Sequence, residues 1–527
     1  MKRPSLLLTA LTVCLALSCN RSHPGKASEG TTLNRLLSGD PATLDPTTTA
    51  EELGLRVEDL IFRPLIGLDR QRHSVPSLAL SWAVSSDGLV YDIRLDPKAK
   101  WEDGSPVTSA DVAYTIDRVR DPKVPSVNWR QGFEDVVAVE TPDAETVIVR
   151  FRRPDAERLL FFTIPIVSAA AYARPGEADR KPVGTGPYRL ESWVPNQALT
   201  LQRRADAPAS ESPFEKIVFR IIPSNAVSFQ AGVRGDLDEF YITRDQVASA
   251  RASSEFQAKN RLLKVPLFVS VMIVWNCRNP YLSDVRVRRA LAMAWPRAET
   301  AKRLYPPDGA SLISGPYPPG VPENAPELAP PPYDPAAAGR LLDEAGLRLG
   351  PDGFRRRGGK RVSIEFLYTT AFPIYRNLAE ILREAYAKVG VELTLRSLDW
   401  AAMSQRITSG EYDAAPVGNT PLPPTVDPYP NFHSSQIPPN GQNTGFYRNS
   451  EADRAMEAAR REMDASRRLE LYRQVHRLLA ADPPADFLWG ADQYWGISRR
   501  IEGVEVSAVG LFHFLPGPLG WRPAAAK

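Results

Sequence analysis

Cysteine is scarce in this sequence: among 527 residues it occurs only as Cys14, Cys19 and Cys277. Cys14 falls inside a predicted leader and Cys19 at its end, which leaves Cys277 without a partner in the mature chain. An intramolecular disulfide is therefore not expected, and hydrophobic cores must supply the stability. Since a single core stops growing near about 250–300 residues, the length predicts two or three domains.

An excess of one charge is also lacking. The 65 basic and 62 acidic residues give a formal net charge of +3. There is no long basic run and no interleaving of basic with aromatic residues, so a nucleic-acid partner is not predicted. The hydrophobic content of 43% and the charged content of 24% are ordinary for a soluble globular protein.

The motifs of common hydrolases, metalloproteases and nucleotide-binding proteins are absent, since the chain contains no G-x-S-x-G, S-x-x-K, H-E-x-x-H or P-loop. Gly184-Thr185-Gly186 begins like a dinucleotide-binding fingerprint, but residue 189 is arginine and no third glycine follows. We interpret this segment as a tight turn. No catalytic residue and no cofactor is predicted, and an extracellular hydrolase is kept only as a third alternative.

Histidine occurs five times, and no two histidines have the spacing of metal ligands. No metal site is predicted from the residues. His476 lies on an otherwise charged helix and is expected to be solvated. His433, in a proline-rich loop, and His513, near the C-terminus, could each meet a ligand in space.

Long apolar runs are missing except at the start of the chain. Lys2 and Arg3 precede an apolar stretch of about twelve residues, which is too short to span a bilayer. It ends in Ala16-Leu17-Ser18-Cys19, which resembles a bacterial lipobox. We therefore predict a lipoprotein signal peptide at 1–18, lipidation of Cys19, and a polar tether at 19–32 that leaves an exported protein anchored to a membrane. The alternative is an ordinary secretory signal that contains a cysteine.

The hydrophobic pattern predicts mixed strands and helices. Helix starts are signalled by Thr108 with Asp111 and by Asp334 with Pro335, and Gly346 ends the second of these helices. An apolar face also predicts a helix at 376–389. Alternating residues predict strands at 89–95, 146–151, 198–202, 216–222 and 391–395. The segment 306–332 contains ten prolines, and from composition alone we predict that it is a linker.

Short sequence motifs occur in a fixed order along most of the chain. They are DPATLDP (40–46), PSLALSW (76–82), DGLVYDIRL (87–95), WEDGSPVTSADV (101–112), VGTGPYRL (183–190), NCRNPYLSDVRVRRALAMA (276–294), YDPAAAGRLLDEAGL (333–347), KVGVEL (388–393), GEYDA (410–414) and YRNSEADRAMEAA (447–459). Together they resemble the family 5 solute-binding proteins of ABC importers, the peptide/nickel-type receptors, over about residues 33–505.

The resemblance implies an α/β, two-lobed periplasmic-binding-protein-like fold (class II, cluster C) with an extra subdomain and a hinge. Solute would bind between lobes that close around it. The chain would cross between lobes near 269–276 and 489–497, and 306–332 would be a surface excursion within one lobe. The implied divisions are lobe I (33–72, 182–270 and 493–527), the extra subdomain (73–181) and lobe II (271–492).

The loop 415–432 departs from the peptide-binding members of this family. The resemblance implies an aspartate four residues before the proline of a DP or EP pair, where it receives the amine of the peptide. Counting back from Pro428 gives Pro424 instead, and Gly418 and Asn419 replace an expected aromatic residue. Asp427 could substitute through a shift of the loop, or it could be a turn residue.

The ligand-binding residues predicted from position are Thr48, Thr49, Trp275, Asn276, Asn419, Thr420, Asp427 and Tyr494. Thr48 and Thr49 follow the LDP turn of Asp45, in a segment that lines the cleft of relatives. Trp275 and Tyr494 lie where the chain crosses between lobes; their alternative role, which they share with Trp489, is core packing near the hinge.

Two function classes follow. The first is a substrate-binding lipoprotein of an ABC importer, a monomer that captures a peptide-like or other small polar solute and delivers it to a permease and ATPase complex. The second is an envelope sensor or scaffold that keeps the fold without transport, which the altered loop motivates. Nickel or a nickel chelate is a minor ligand option implied by the resemblance.

Overall fold

The computed structural model describes residues 31–173, 179–307, 309–370, 372–419, 427–439, 441–507 and 510–525. The predicted signal peptide, Cys19 and most of the predicted tether lie outside these residues. Thr420 and the following six residues of the altered loop also lie outside them.

The secondary structure alternates between strands and helices along the chain. The strands are β1 (Thr32–Leu37), β2 (Ile66–Leu68), β3 (Ser74–Pro76), β4 (Ala79–Val84), β5 (Val90–Leu95), β6 (Val136–Glu140), β7 (Thr146–Phe151), β8 (Tyr188–Val194), β9 (Ala198–Arg203), β10 (Lys216–Ile221), β11 (Glu239–Ile242), β12 (Asn260–Trp275), β13 (Ala310–Leu312), β14 (Arg348–Leu349), β15 (Arg355–Arg357), β16 (Lys360–Arg361), β17 (Ser363–Thr369), β18 (Glu392–Leu398), β19 (Ala414–Asn419), β20 (Ala485–Ser498), β21 (Ile501–Glu502) and β22 (Arg522–Pro523). The helices are α1 (Glu52–Ile61), α2 (Ser109–Arg120), α3 (Arg130–Phe133), α4 (Arg158–Phe161), α5 (Ala169–Tyr172), α6 (Asn225–Arg234), α7 (Gln246–Ala252), α8 (Ser254–Lys259), α9 (Val285–Met293), α10 (Arg297–Leu304), α11 (Pro335–Glu344), α12 (Pro373–Lys388), α13 (Trp400–Ser409), α14 (Tyr429–Phe432), α15 (Ser450–Arg461) and α16 (Ala465–Ala481).

One large sheet runs through the molecule. Over the described residues it has eleven strands, in the order β18-β17-β19-β12-β20-β11-β1-β10-β9-β8, with β13 beside β20 off this path. The long strands β12 and β20 pair antiparallel at its centre, from Asn260 opposite Ser498 to Val274 opposite Ala485. Strands of lobe I lie on one side of this pair and strands of lobe II on the other. The fold is therefore the two-lobed α/β architecture that the sequence predicts.

The two central strands carry the chain between the lobes. Their pairing is irregular between Pro266 and Ser270, next to the predicted crossing. Outside this pair, β1 and β10 run parallel in lobe I, and β17 and β18 run parallel in lobe II. Parallel neighbours require helical crossovers, which is why each lobe carries helices between its strands.

A smaller antiparallel sheet, β4-β5-β7-β6, lies within the segment predicted as the extra subdomain. It has its own hydrophobic core, in which Trp101, Phe133 and Phe162 are buried. Separate cores fill lobe I around Phe219 and lobe II around Trp295. The boundaries between these three units stay a prediction.

The local signals for helices agree with the structure. The backbone N–H of Thr108 donates to Asp111 Oδ2 (3.0 Å) where α2 begins. Asp334 caps α11 by accepting from the N–H of Ala337 (2.8 Å), and Gly346 follows that helix with φ of 79°. The segment Gly184–Gly186 packs against the end of α1, since the N–H of Gly186 donates to the carbonyl of Ile61 (2.7 Å); the tight turn stays a prediction.

The proline-rich segment is a surface excursion of lobe II and not a linker between domains. Its strand β13 pairs with β20, from Ala310 opposite Ala491 to Leu312 opposite Trp489. Tyr317 and Ala325 from the same segment are buried. The segment therefore packs on lobe II as part of its fold.

The expectation of a solvated His476 is wrong. Its side chain has 0% exposure because the proline-rich segment covers this face of α16. Ser314 Oγ lies 3.2 Å from His476 Nε2, and the N–H of Ala325 donates to Nδ1 (3.0 Å). Burial lowers the pKa of His476 to about 4. The imidazole is thus a neutral core group of lobe II.

Candidate functional site

A cavity of about 100 Å³ lies between lobe I and the extra subdomain. Helix α1 forms one wall, and the segment 513–519 from the C-terminal return of lobe I forms another. The cavity is mainly apolar, with a few acidic and polar groups. Its lining residues are Leu55, Glu58, Asp59, Phe62, Pro64, Leu68, Asn128, Trp129, Thr163, Pro165, His513, Phe514, Leu515, Pro516, Pro518 and Leu519.

Asp45 holds the loop that leads into this cavity, in the turn role predicted for it. Its Oδ1 accepts from the N–H of Thr47 (3.0 Å), and its carbonyl accepts from the N–H groups of Thr48 and Thr49 (3.0 and 2.9 Å). Arg118 on α2 donates to Asp45 Oδ2 (2.7 Å). A buried carboxylate with these donors fixes the loop against the extra subdomain.

Thr49 lies beside the cavity, and Thr48 is half-buried next to it. The Thr49 hydroxyl donates to Glu58 Oε1 (2.5 Å), and Asn128 Nδ2 donates to the Thr49 carbonyl (3.0 Å). Trp129 Nε1 donates to the Pro46 carbonyl (2.9 Å). The structure therefore connects the predicted residue Thr49 directly to two residues of the cavity wall.

Electrostatics at this cavity are dominated by acids. Burial raises the pKa of Glu58 well above its usual value, and the hydrogen bond from Thr49 only partly opposes this. His513 Nδ1 lies 2.8 Å from Asp59 Oδ2, and Nε2 lies 3.2 Å from Glu52 Oε2. Burial opposes the charge of His513, but these two carboxylates raise its pKa well above the usual value. Asp59 and Glu52 therefore favour the charged form of His513.

A second cavity, of about 250 Å³, lies in lobe II beside the altered loop. Gly418, which precedes the predicted residue Asn419 at the end of β19, lines it. Trp400 is 55% exposed at this cavity and stands edge-on to Phe372, which is 51% exposed. The lining residues are Met272, Val274, Trp400, Met403, Ser404, Ile407, Thr408, Pro416, Val417, Gly418, Asn431, Phe432, Gln442, Asn443, Thr444, Gly445 and Pro484.

Asp427 is buried against lobe II and the extra subdomain. Arg460 Nε lies 2.8 Å from Asp427 Oδ2, and the N–H of Tyr429 donates to Oδ1 (3.0 Å). Burial raises the pKa of Asp427 to about 6, against the opposing charge of Arg460. The protein itself thus supplies the cation next to this carboxylate.

Trp275 and Asn276 lie in the interior of lobe II. Trp275 has 0% exposure and packs in the core with Leu282 and Trp295. Asn276 Nδ2 donates to the carbonyls of Gly410 and Tyr412 (3.0 and 2.7 Å). The burial of Trp275 agrees with the alternative prediction that it packs in the core near the hinge. The side chain of Asn276 has a structural role, because its hydrogen bonds attach it to the loop of Gly410 and Tyr412.

Tyr494 and Trp489 are buried in the hinge strand β20. Tyr494 pairs with Ile242 of β11 and with Lys264 of β12, in the core on the lobe I side. Trp489 Nε1 donates to the hydroxyl of Tyr305 (2.7 Å) in the core of lobe II. The structure brings neither side chain to either of the two cavities described above.

Glu58 and the wall formed by Phe514 and Leu515 were not predicted from the sequence. The sequence does contain a signal for Glu58, because Leu55 and Glu58 on α1 and Phe62 directly after it recur at helical spacing and all line the cavity. An acid within an apolar helical stripe is a candidate for a functional group. His513 was named as a possible ligand contact, and it does line the cavity.

Among the residues that the structure describes, no helix is long and apolar enough to cross a bilayer. Likewise, no group of three or more histidine, cysteine, aspartate or glutamate side chains among those residues is arranged to hold a metal ion.

Comparison with known proteins gives a family and a fold. Residues 73–439, more than half of the chain, match the family described as bacterial extracellular solute-binding proteins, family 5 Middle. The oligopeptide-binding protein AppA of Bacillus subtilis is 24% identical over 95% of this chain and 96% of its own length.

Two solved structures share the fold. NikZ of Campylobacter jejuni, in complex with Ni(L-His), superposes with a TM-score of 0.79 at 23% identity, over 94% of this chain and 100% of its own. The ABC transporter-associated periplasmic binding protein DppA of Helicobacter pylori, in complex with the peptide STSA, gives 0.75 at 21% identity, over 94% and 98%.

Proposed function

Because the chain belongs to the family 5 extracellular solute-binding proteins of bacteria, we propose that it is the substrate-binding component of an ABC importer. It captures a peptide-like or other small polar solute between its lobes and delivers it to a membrane permease and ATPase. The family is one of solute-binding proteins and not of enzymes, and catalysis is not part of the proposal.

The observation that carries this proposal is the position of the two cavities. The first adjoins Thr49, and the second borders Gly418 beside Asn419, so each lies next to a segment predicted to line the cleft. We propose that they are the two halves of the solute site, with Thr48, Thr49, Asn419 and Thr420 at the solute. Trp275 and Tyr494 are left out of this set because their side chains pack in the core, and Asn276 because its side chain donates to the carbonyls of Gly410 and Tyr412.

Relatives support the peptide-like class. AppA is an oligopeptide-binding protein, and DppA was solved with a peptide. NikZ was solved with a nickel–histidine complex, so a metal chelate remains the second ligand class. Export and anchoring through a lipid on Cys19 are part of the proposal and rest on the leader and lipobox of the sequence.

The proposal is tested by expressing the chain with its own leader, purifying it and identifying the small molecules that denaturation releases by mass spectrometry. Peptides or one defined polar solute are expected, and adding them back should make the lobes close in small-angle X-ray scattering. A protein that carries nothing and closes on neither peptide pools nor nickel–histidine would contradict transport and favour the sensor or scaffold. A lipid-modified N-terminal cysteine in the same spectra would establish the anchor.

A further inference from the structure

Lobe II contacts the extra subdomain through a small surface at the end of α15. Nη2 of Arg460, in the last turn of this helix, lies 3.4 Å from Oδ2 of Asp155, and both side chains are largely buried. The carbonyl of Arg460 accepts from the N–H of Ala156 (2.8 Å). A charged contact and a backbone hydrogen bond therefore join the same two segments.

Met463, in the turn between α15 and α16, extends this surface to a second turn of the subdomain. A Cβ at Gly88 would lie 3.1 Å from Met463 Sδ and 3.2 Å from Pro154 Cβ, so the thioether packs closely against both. Arg468 holds the methionine turn by donating to the carbonyls of Glu462 and Met463 (3.0 and 3.2 Å). The lobe II side of the contact is thus a fixed turn and not a loose side chain.

Glu157 contributes less charge attraction than its position suggests. Its Oε1 lies 3.8 Å from Arg468 Nε. Burial raises the pKa of Glu157 to about 7, against the opposing charges of Arg72 and Arg468. This carboxyl is therefore partly protonated at neutral pH, and the attraction between the two sides rests mainly on Asp155.

The topology makes this contact depend on how the lobes are arranged. The chain enters the extra subdomain from lobe I and returns to lobe I after it, and hydrogen bonds such as that of Trp129 with the Pro46 carbonyl attach the subdomain to lobe I. Lobe II is continuous with lobe I through the paired strands β12 and β20. A rotation about these strands carries lobe II relative to both other units. The lobes can then separate on this side only if the Arg460 contact breaks.

We propose that this contact is a clasp: the extra subdomain holds lobe II through Asp155 and Ala156 while the cleft is closed, and the clasp opens when solute leaves. The inference rests on the proposed function, and it gives the extra subdomain a role in how long a captured solute is retained. A small, partly polar surface suits a contact that forms and breaks. Weakening it shifts the ratio of open to closed protein.

The amide of Ala156 reports on the clasp directly, because its acceptor is a carbonyl on the other side. In the full-length protein its hydrogen should exchange faster than that of Val149, which lies in the core of the same subdomain, since the clasp opens without unfolding. Asp155→Asn removes the charge and can still accept from the N–H of Glu157, as Asp155 Oδ1 does (3.0 Å). It should speed exchange at Ala156 by roughly threefold to tenfold, as expected for loss of one ion pair.

Met463→Ala is the second clasp variant, and it should fold in any case because Met463 is 39% exposed. It should also speed exchange at Ala156. Asp135→Asn is the control, because Asp135 pairs with Arg153 within the extra subdomain (2.9 Å); it should leave exchange at Ala156 unchanged. If Ala156 exchanges no faster than Val149 in the wild-type protein, the contact breaks only on unfolding and the clasp is overturned.

Release of solute connects the clasp with the cleft. The probes are a mixed tripeptide pool and nickel–histidine, and their dissociation is followed by tryptophan fluorescence. Both clasp variants should release a bound probe faster, by about the factor seen in exchange at Ala156, whereas Asp135→Asn should release it like the wild-type protein. Faster exchange at Ala156 with unchanged dissociation would mean that the loop moves alone, which overturns the inference while the proposed function stands.

Binding of neither probe would contradict the proposed function and leave the clasp to be decided without solute. Small-angle X-ray scattering of the solute-free proteins then makes the decision. The two clasp variants should give a larger radius of gyration than the wild-type protein and Asp135→Asn. Equal radii in all four proteins would overturn the clasp.

Discussion

Arg460 of α15 lies with its Nε 2.8 Å from Oδ2 of Asp427, in a site that is largely shielded from solvent. The same guanidinium reaches across to the extra subdomain, where Nη2 lies 3.4 Å from Asp155 Oδ2. The backbone strengthens this contact, because the N–H of Ala156 donates to the Arg460 carbonyl (2.8 Å). One cation thus joins lobe II to the extra subdomain.

We expect Arg460→Met to destabilise the protein by about 3–5 kcal/mol, because it leaves the buried Asp427 and Asp155 without their shared cation. The free energy of unfolding from urea titration measures this. Arg461→Met is the control, since the neighbouring Arg461 is 66% exposed and pairs only at the surface with Glu457; it should cost at most about 1 kcal/mol. Equal losses in the two variants would contradict a structural role for the Arg460 contact.

We expect Asp427→Asn to flatten the pH dependence of stability. Burial raises the pKa of Asp427 from 3.8 to about 6, so within this window the native protein keeps a proton that the unfolded chain has lost. The free energy of unfolding therefore falls as the pH rises through the window, by on the order of 2–3 kcal/mol from this group. Urea titrations at the two ends of the window should show that the asparagine variant lacks this decrease.

Asp236→Asn is the control for that experiment, because Asp236 is an exposed partner of Arg234. This variant should show the same pH dependence of the free energy of unfolding as the wild-type protein. Solute affinity separates the two roles considered for Asp427. A loss of roughly 1.5–3 kcal/mol in Asp427→Asn would mean that it contacts a ligand cation, whereas an unchanged affinity leaves it as the partner of Arg460.

Signals within a few residues predicted much of the fold. The strand predicted at 146–151 has these bounds in the structure, and the capping pattern of Thr108 and Asp111 places the start of α2 correctly. Such features depend on alternation and on hydrogen bonds within one turn. The two-lobed architecture followed from the resemblance and not from any local pattern.

Burial that depends on distant segments was not predictable. His476 stands among charged neighbours on α16, but the proline-rich segment covers it from about 150 positions earlier in the chain. Glu58 likewise becomes a cavity residue only when the C-terminal return places Phe514 opposite α1. In both cases the decisive contact is remote in sequence, and periodicity along one helix carries no information about it.

Gly184→Ala should destabilise the protein by about 3 kcal/mol or more. A Cβ at this position would lie 2.0 Å from the carbonyl oxygen of Ile61, so the backbone of the turn or the end of α1 would have to move. Gly39→Ala is the matched control, because its Cβ would be 3.7 Å from Leu53, an ordinary contact. Thermal unfolding of both variants checks this, and a Gly184 variant as stable as the Gly39 variant would contradict the close approach.

Buried His476 should make the protein less stable in mild acid. Burial lowers its pKa from 6.5 to about 4, so the unfolded chain binds a proton in this window that the native protein does not bind. The contribution of His476 is fully present above about pH 6.5 and is lost as the pH falls towards about 4, by on the order of 2–3 kcal/mol. Glu327 and Arg477, the charged neighbours, act on it in opposite directions.

His476→Asn removes this titration and can still accept from the N–H of Ala325, so its free energy of unfolding should fall less steeply with acidification than that of the wild-type protein. The control is His73→Asn, because His73 is 76% exposed next to Asp69. Urea titrations at about pH 7.5 and about pH 4 give the two slopes. An asparagine variant at 476 with the wild-type slope would mean that the imidazole is reached by water and protonates in the folded protein.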